Sequence, residues 1–434
     1  MKSIQWMLLA GVFGLASSAA FGQAAWPIDQ TIPAPFGVQL KEHDLNTIGT
    51  LDRVKDFGVK YIRRGALWQG VEQEKGVYNF SKYLKLVEDA KAHGMSVIIT
   101  LGLQNQKLYP HPKDEEGRIA YVNYCVAAVI AFKGQPVLFE IWNEPNTKTF
   151  WGGHEKSGNT DSYAEQYVNL VKAAVPAMKQ ADPNCIILGG SMSNVWSESF
   201  KWMTFCTKRG VMDTGIDAWS LHPYGVRNPE DYLEAYAICR KIMKDNGSGK
   251  MLPFLNTERG FALQKDKEGA NTTDDRKMSQ EYQAWHLVRQ YLIDQLCDIK
   301  LTIWYEWSGG ESFSLWQPKE PNFFPSHTAG KVMIEQLSGY KFDSRINTEN
   351  ERDFVLQFKN SSGAVKLVAW TSPPKGQGPD KTTNHAIDIP VSSTAEKLPL
   401  IQIYGEAGTL DVKNGTVNVA LTGAPQYIVV NSGK

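Results

Sequence analysis

Short continuous apolar runs alternate along this chain with longer stretches in which apolar positions recur every three or four residues. The runs have the length and composition of strands buried on both faces. The periodic stretches have the spacing of helices that bury one side. Eight runs are found, at 36–40, 60–63, 96–101, 137–142, 186–190, 218–222, 253–257 and 301–307. Helical spacing is plain in Leu86, Val87 and Ala90 within 83–92, and in Tyr163, Tyr167, Leu170 and Val171 within 162–180; a longer helix is expected around 280–296. Strands that alternate with helices in this way predict a parallel sheet, and eight of them predict an α/β fold, a closed (β/α)₈ TIM barrel. After residue 340 the helical period disappears. Strand-like runs at 354–358, 365–370, 385–391, 400–404, 416–421 and 427–430 are separated by turn residues such as Asn360-Ser361-Ser362-Gly363, Pro373-Pro374 and Asn414-Gly415. This half predicts a small C-terminal antiparallel β-sandwich. The expected organisation is a barrel over 23–340 and a sandwich over 341–434.

Composition narrows the class without naming a chemistry. The chain has 434 residues, 42% hydrophobic and 21% charged, with 46 basic and 46 acidic residues. That balance offers no basic stripe for nucleic acid and no polybasic segment for an anionic membrane. Lys2, the apolar stretch 6–15 and the small residues around Ala20-Phe21-Gly22 form an export signal, with cleavage expected after Gly22 and a secreted or periplasmic mature chain. That stretch is short for a membrane span, and no later segment reaches such a length. Cys125, Cys185, Cys206, Cys239 and Cys297 are widely spaced and include no Cys-x-x-Cys pair, so buried free thiols are expected; an oxidising compartment would allow a pair such as Cys206 with Cys239. The 13 tryptophans suit both a large core and a surface that stacks on sugar rings.

The chemistry is concentrated where the fourth run ends, in Phe139-Glu140-Ile141-Trp142-Asn143-Glu144-Pro145-Asn146. A buried strand stops there and presents an amide and a carboxylate together, at the rim where such barrels keep their active sites. A carboxylate pressed against a tryptophan is a candidate general acid. The seventh run ends in Asn256-Thr257-Glu258-Arg259, which supplies a second carboxylate; the bland alternative is that Glu258 merely pairs with Arg259. Two carboxylates are what glycosidic bond hydrolysis requires, one to protonate the leaving oxygen and one to attack or to activate water.

These motifs resemble those of clan A retaining glycoside hydrolases, and most closely family 39. The stretch from Phe139 to Asn146, Phe150-Trp151, Asp182-Pro183 and Leu188-Gly189-Gly190 carry the likeness, while Thr257-Glu258-Arg259 departs somewhat from the usual surroundings of the nucleophile. The resemblance implies Glu144 as acid/base and Glu258 as nucleophile, with carboxyl groups about 5–5.5 Å apart. Glu144 should then have a raised pKa, through burial and a neighbouring negative charge. The resemblance also implies that Asn143 binds a sugar 2-hydroxyl and that Arg63 holds the nucleophile ionised. His222 and Tyr224 take site roles, with Tyr224 donating to Glu258. At the end of the eighth run, alternation sets Trp304 and Glu306 on one face and Tyr305 and Trp307 on the other; Trp304 or Trp307 is the expected sugar platform, and Glu306 a third carboxylate near the cleft. Gln104 and Trp151, with Trp68, Trp196 and Trp316, lie in the loops where substrate contacts concentrate. No metal or cofactor is required. The leading expectation is a monomeric hydrolase that cleaves inside a bacterial exopolysaccharide. An exo-acting β-xylosidase is the alternative, and a non-catalytic sugar-binding barrel is an alternative of another class.

Overall fold

The computed structural model describes residues 27–152, 160–262, 273–309, 313–317 and 322–431. The export signal expected at 1–22 lies outside the described residues. Eight parallel strands close into a barrel: β1 (Phe36–Gln39), β2 (Tyr61–Leu67), β3 (Ser96–Gly102), β4 (Val137–Ile141), β5 (Ile186–Ser193), β6 (Ala218–His222), β7 (Phe254–Arg259) and β8 (Ile299–Trp304). Strand β8 pairs with β1 to complete the ring. Each strand is followed, in order, by one of the longer helices: α1 (Thr50–Phe57), α2 (Ser81–Ala92), α3 (Glu115–Ala131), α4 (Thr160–Ala181), α5 (Ser197–Lys208), α6 (Tyr232–Asn246), α7 (Thr273–Leu296) and α8 (Pro325–Leu337). All eight expected runs are barrel strands.

Two apolar layers hold this arrangement. Outside the sheet, strand residues such as Phe139, Ile141 and Ile299 pack against helix residues such as Tyr124, Val171 and Leu287. Inside the barrel, Ile98, Leu138, Leu188, Ala218, Leu255, Leu301 and Ile303 form a smaller plug. Side chains two residues apart share a face of a strand. One step up from the plug, that face changes character: Ile98 gives way to Thr100, Leu138 to Glu140, Leu255 to Thr257, and the partly buried Tyr61 to Arg63. The interior is therefore apolar below and polar above, and the polar layer is the floor of the rim.

The C-terminal strands are β9 (Tyr340–Ile346), β10 (Asp353–Asn360), β11 (Val365–Thr371), β12 (His385–Pro390), β13 (Lys397–Ile401), β14 (Ala407–Lys413), β15 (Thr416–Leu421) and β16 (Gln426–Asn431). They form one antiparallel sheet in the order β9-β10-β11-β16-β13-β14-β15-β12, curled on itself, rather than two separate leaves. Alternation assigns its faces. Val355, Leu367, Ala369, Ile428 and Val430 enclose the sheet's own core, while Phe354, Leu356, Phe358, Val368 and Trp370 join the barrel core. The Trp370 indole donates to Glu230 Oε1 at 2.7 Å, and Arg289 Nε on α7 donates to the same carboxylate oxygen at 2.7 Å. All five cysteines are free thiols, so Cys206 and Cys239 do not pair.

Candidate active site

Glu140 is buried in the apolar strand β4, where a lone charge would be prohibitively costly. Its partners come from three other strands. Arg63 donates to it from Nε at 2.9 Å and Nη2 at 2.7 Å, Thr100 Oγ1 donates at 2.8 Å and Thr257 Oγ1 at 2.6 Å. Burial pushes the Glu140 carboxyl up, but the Arg63 charge, the charge and hydrogen bond of His222 and the Thr257 hydrogen bond together hold it far below its ordinary range. This buried pair anchors Arg63, whose remaining donors point upward. Nη1 reaches Glu258 Oε2 at 2.7 Å and Gln39 Oε1 at 2.6 Å, and Nη2 reaches Asn143 Oδ1 at 2.9 Å. Arg63 turns inward as expected, while Arg64 faces Glu42 outside the barrel. Glu258 therefore pairs with Arg63 and not with its neighbour Arg259.

Strict alternation would set Thr257 inward and Glu258 outward. The β7–β8 register runs Asn256 against Thr302 and then Arg259 against Trp304, so β7 carries one extra residue. This bulge lets Thr257 and Glu258 both face the interior. A similar irregularity in β5 brings Ser191 Oγ to 3.3 Å from His222 Nε2. At the end of β4, Trp142 and Glu144 take left-handed backbone angles, φ 65° and 46°. Such angles are unfavourable for bulky residues and concentrate at functional sites. Here they turn the chain so that Asn143 and Glu144 both face inward. The Trp142 ring leaves the rim for the helix layer, against Tyr121 and Trp151, so it does not flank Glu144 as expected.

Glu144 and Glu258 face each other across His222. One carboxylate oxygen from each, with a ring nitrogen of His222, lie within 4.8 Å of one another. His222 Nδ1 is 3.1 Å from Glu144 Oε1 and 3.9 Å from Glu258 Oε2, and Tyr224 donates its hydroxyl to Glu258 Oε1 at 3.3 Å. Burial opposes a charge on His222, but Glu258, Glu140 and Glu144 together push its pKa up to about 9. Burial likewise pushes Glu144 upward, yet the hydrogen bond and charge of His222 prevail and set its carboxyl below the ordinary range. The raised Glu144 pKa expected from sequence is thus corrected: the proton sits on the histidine side of the pair. Among the described residues, these three side chains are also close enough to share a cation. Arg63 at 2.7 Å from Glu258 and a protonated His222 already supply the positive charge there.

The remaining expected residues separate. Trp304 turns outward toward His286 on α7, with its indole donating to the Phe313 carbonyl at 3.1 Å. Trp307 packs between Phe57 and His327, also outside the barrel. Neither is a sugar platform. Tyr305, between them in sequence, lies beside the Lys41 ammonium, 4.9 Å from its ring centre, and feels the Glu258 charge. Glu306 is buried and paired with Lys41 at 2.5 Å, so it positions that lysine instead of meeting a substrate. Trp151 is a core residue, bonded to Gln166 at 2.8 Å and packed on Trp142. Trp68 is likewise core, donating to Glu72 at 2.6 Å, and Trp316 is buried under Arg53. Trp196 is 51% exposed. Gln104 sits partly buried in the loop after β3. Glu140, Gln39, Ser191 and Lys41 join the site without a motif that marks them as candidates, and Tyr305 takes the place at the cleft expected of a tryptophan. Glu140 was the legible one, since an acid inside an apolar strand demands a buried partner.

A closed barrel with a paired acid and carboxylate at the carboxyl ends of its fourth and seventh strands is the architecture of clan A glycoside hydrolases. Residues 30–305 match the model of the cellulase family, glycosyl hydrolase family 5. The chain belongs to that family, and so to clan A; its overall fold is family 39-like. A β-xylosidase of Geobacillus stearothermophilus is 24% identical over 237 residues, 44% of each chain. The chain thus spans less than half the length of the curated β-xylosidases it matches. A family 39 glycoside hydrolase from Bacteroides cellulosilyticus superposes with a TM-score of 0.74 at 22% identity, covering 92% of this chain and 81% of that one. A monomeric β-xylosidase from Caulobacter crescentus superposes with a TM-score of 0.64 at 15% identity, covering 92% and 97%.

Proposed function

We propose that this chain is a retaining glycosidase in which Glu258 is the nucleophile and Glu144 the acid/base. The observation that carries this reading is the approach of their carboxylate oxygens to within 4.8 Å, with Arg63 on one and His222 on the other. Retaining enzymes hold their carboxyls about 5–5.5 Å apart, and inverting ones need about 6.5–9.5 Å to admit a water. Arg63, 2.7 Å from Glu258 Oε2, orients that carboxylate for attack on the anomeric carbon. The His222–Glu144 pair holds one proton. A sugar entering the cleft displaces water and raises the cost of the Glu144 charge, which moves that proton onto Glu144 and toward the leaving oxygen. Once Glu258 is esterified its charge is gone. The ionised Glu144 then takes a proton from the water that releases the sugar. Asn143, whose carbonyl oxygen is occupied by Arg63, offers its amide N–H groups to a sugar hydroxyl.

The substrate we infer is a bacterial exopolysaccharide cut internally, by a monomer exported through the segment at 6–15. The continuation of the rim past Tyr224 into a cavity supports room for a chain. The β-xylosidase relatives favour a second reading, an exo-acting β-xylosidase. Product sizing on exopolysaccharides beside assays on aryl xylosides separates the two. The mechanism is tested by azide rescue: Glu258→Ala should yield a glycosyl azide of inverted configuration and Glu144→Ala a retained one. A fully active Glu258→Gln overturns the assignment and leaves the barrel a hydrolase of another design.

A further inference from the structure

Arg259 follows the proposed nucleophile and is 6% exposed. A buried guanidinium is ordinarily neutralised by a carboxylate, because desolvating an unpaired charge is costly. Among the described residues none pairs with it: its guanidinium donates from Nε to the Tyr232 hydroxyl and lies over the rings of Tyr224, at 5.0 Å, and Tyr232, at 5.8 Å. It lines a cavity of about 530 Å³, within the range of small-molecule sites. Tyr224 forms the wall shared with the catalytic cleft, since its hydroxyl bonds Glu258. Phe313 stands edge-on to Tyr224 at 6.5 Å, and Arg227 adds a second, exposed guanidinium. Among the described lining residues the one acid, Asp380 of the C-terminal region, is held by Lys381 at 2.8 Å. The charge on the described lining residues is positive on balance.

We propose that this cavity is a subsite for a uronic acid unit of the substrate, its carboxylate held by Arg259 and Arg227 and its ring set against Tyr224 and Phe313. The proposal rests on the glycosidase reading and deepens it, naming an acidic polysaccharide as the substrate class. It also gives the C-terminal region a share in recognition, through the segment that carries Asp380.

Titration of the full chain with D-glucuronate and D-glucose tests it apart from catalysis. Glucuronate should bind at least about tenfold more tightly than glucose, the difference one charge-assisted contact confers. Arg259→Gln should abolish that preference and Arg227→Gln weaken it, with circular dichroism checking each fold. Because Arg227 is exposed, its variant remains informative if Arg259→Gln does not fold. Equal binding of the two sugars, an unchanged preference in both variants, or inorganic phosphate binding as tightly as glucuronate would overturn the subsite. Wild type that cleaves a neutral aryl glycoside yet shows no glucuronate preference refutes only this inference. Glucuronate preference without any glycosidase activity refutes only the proposed function.

Discussion

His222 carries the pH behaviour of the site. Its pKa in the fold is about 9, above the ordinary value of 6.5, so its contribution to stability is complete below pH 6.5 and is lost as pH rises through 9. Unfolding free energy of the wild type should fall over that window by up to about 3 kcal/mol, and a His222→Asn variant should show a flatter profile by denaturant titration. Glu140 acts in the opposite sense. Its carboxyl is depressed by Arg63, so the stability it contributes is present above pH 4.5 and is lost as pH falls below that. At the same scale, Glu144→Gln should lower kcat/KM by about 10²–10⁴-fold on unactivated glycosides. The loss should be much smaller on aryl glycosides whose phenol leaves without a proton. Equal losses on both substrates would argue that Glu144 binds and does not protonate.

At the scale of elements, the site depends on strands that depart from regular alternation. The bulge in β7 lets Thr257 bond Glu140 while the adjacent Glu258 reaches Arg63. Left-handed residues after β4 do the same for Asn143 and Glu144. The strands themselves were legible, because a run buried on both faces needs only apolar residues in sequence. The departures were not, since a bulge is defined by a partner strand that no local pattern contains. Alternation also misassigns the end of β8, because the strand stops at Trp304 and its pleat does not govern the residues beyond it: Trp304 and Trp307 face the helices and Tyr305 the cleft. The Arg63–Glu140 pair ties β2 to β4 beneath the site. Glu140→Leu should cost about 3–5 kcal/mol by leaving Arg63 buried with its main counter-ion gone. The double variant Arg63→Met/Glu140→Leu should recover part of that stability while remaining inactive, and chemical denaturation of the three proteins measures both effects.

At the scale of the whole molecule, the curled sheet shares the barrel's core. Trp370 is fully buried, stacks on Phe354 and bonds Glu230, which in turn holds Arg289 on α7. Trp370→Ala should therefore destabilise by about 3–5 kcal/mol and lower the melting temperature of the barrel together with that of the sheet. Two separate transitions in calorimetry would contradict a common core.

Hydrophobic periodicity alone determined the order of strands and helices, the change of architecture near residue 340 and the two glutamates at strand ends, because each of these depends on local spacing and residue type. The tertiary structure decided which side chains meet. The Glu140–Arg63–Glu258 chain, the proton held between His222 and Glu144, and the contact of Arg259 with Tyr224 and Tyr232 all join residues from different elements. Their protonation and charge are set by burial and by neighbours that only the closed barrel brings together.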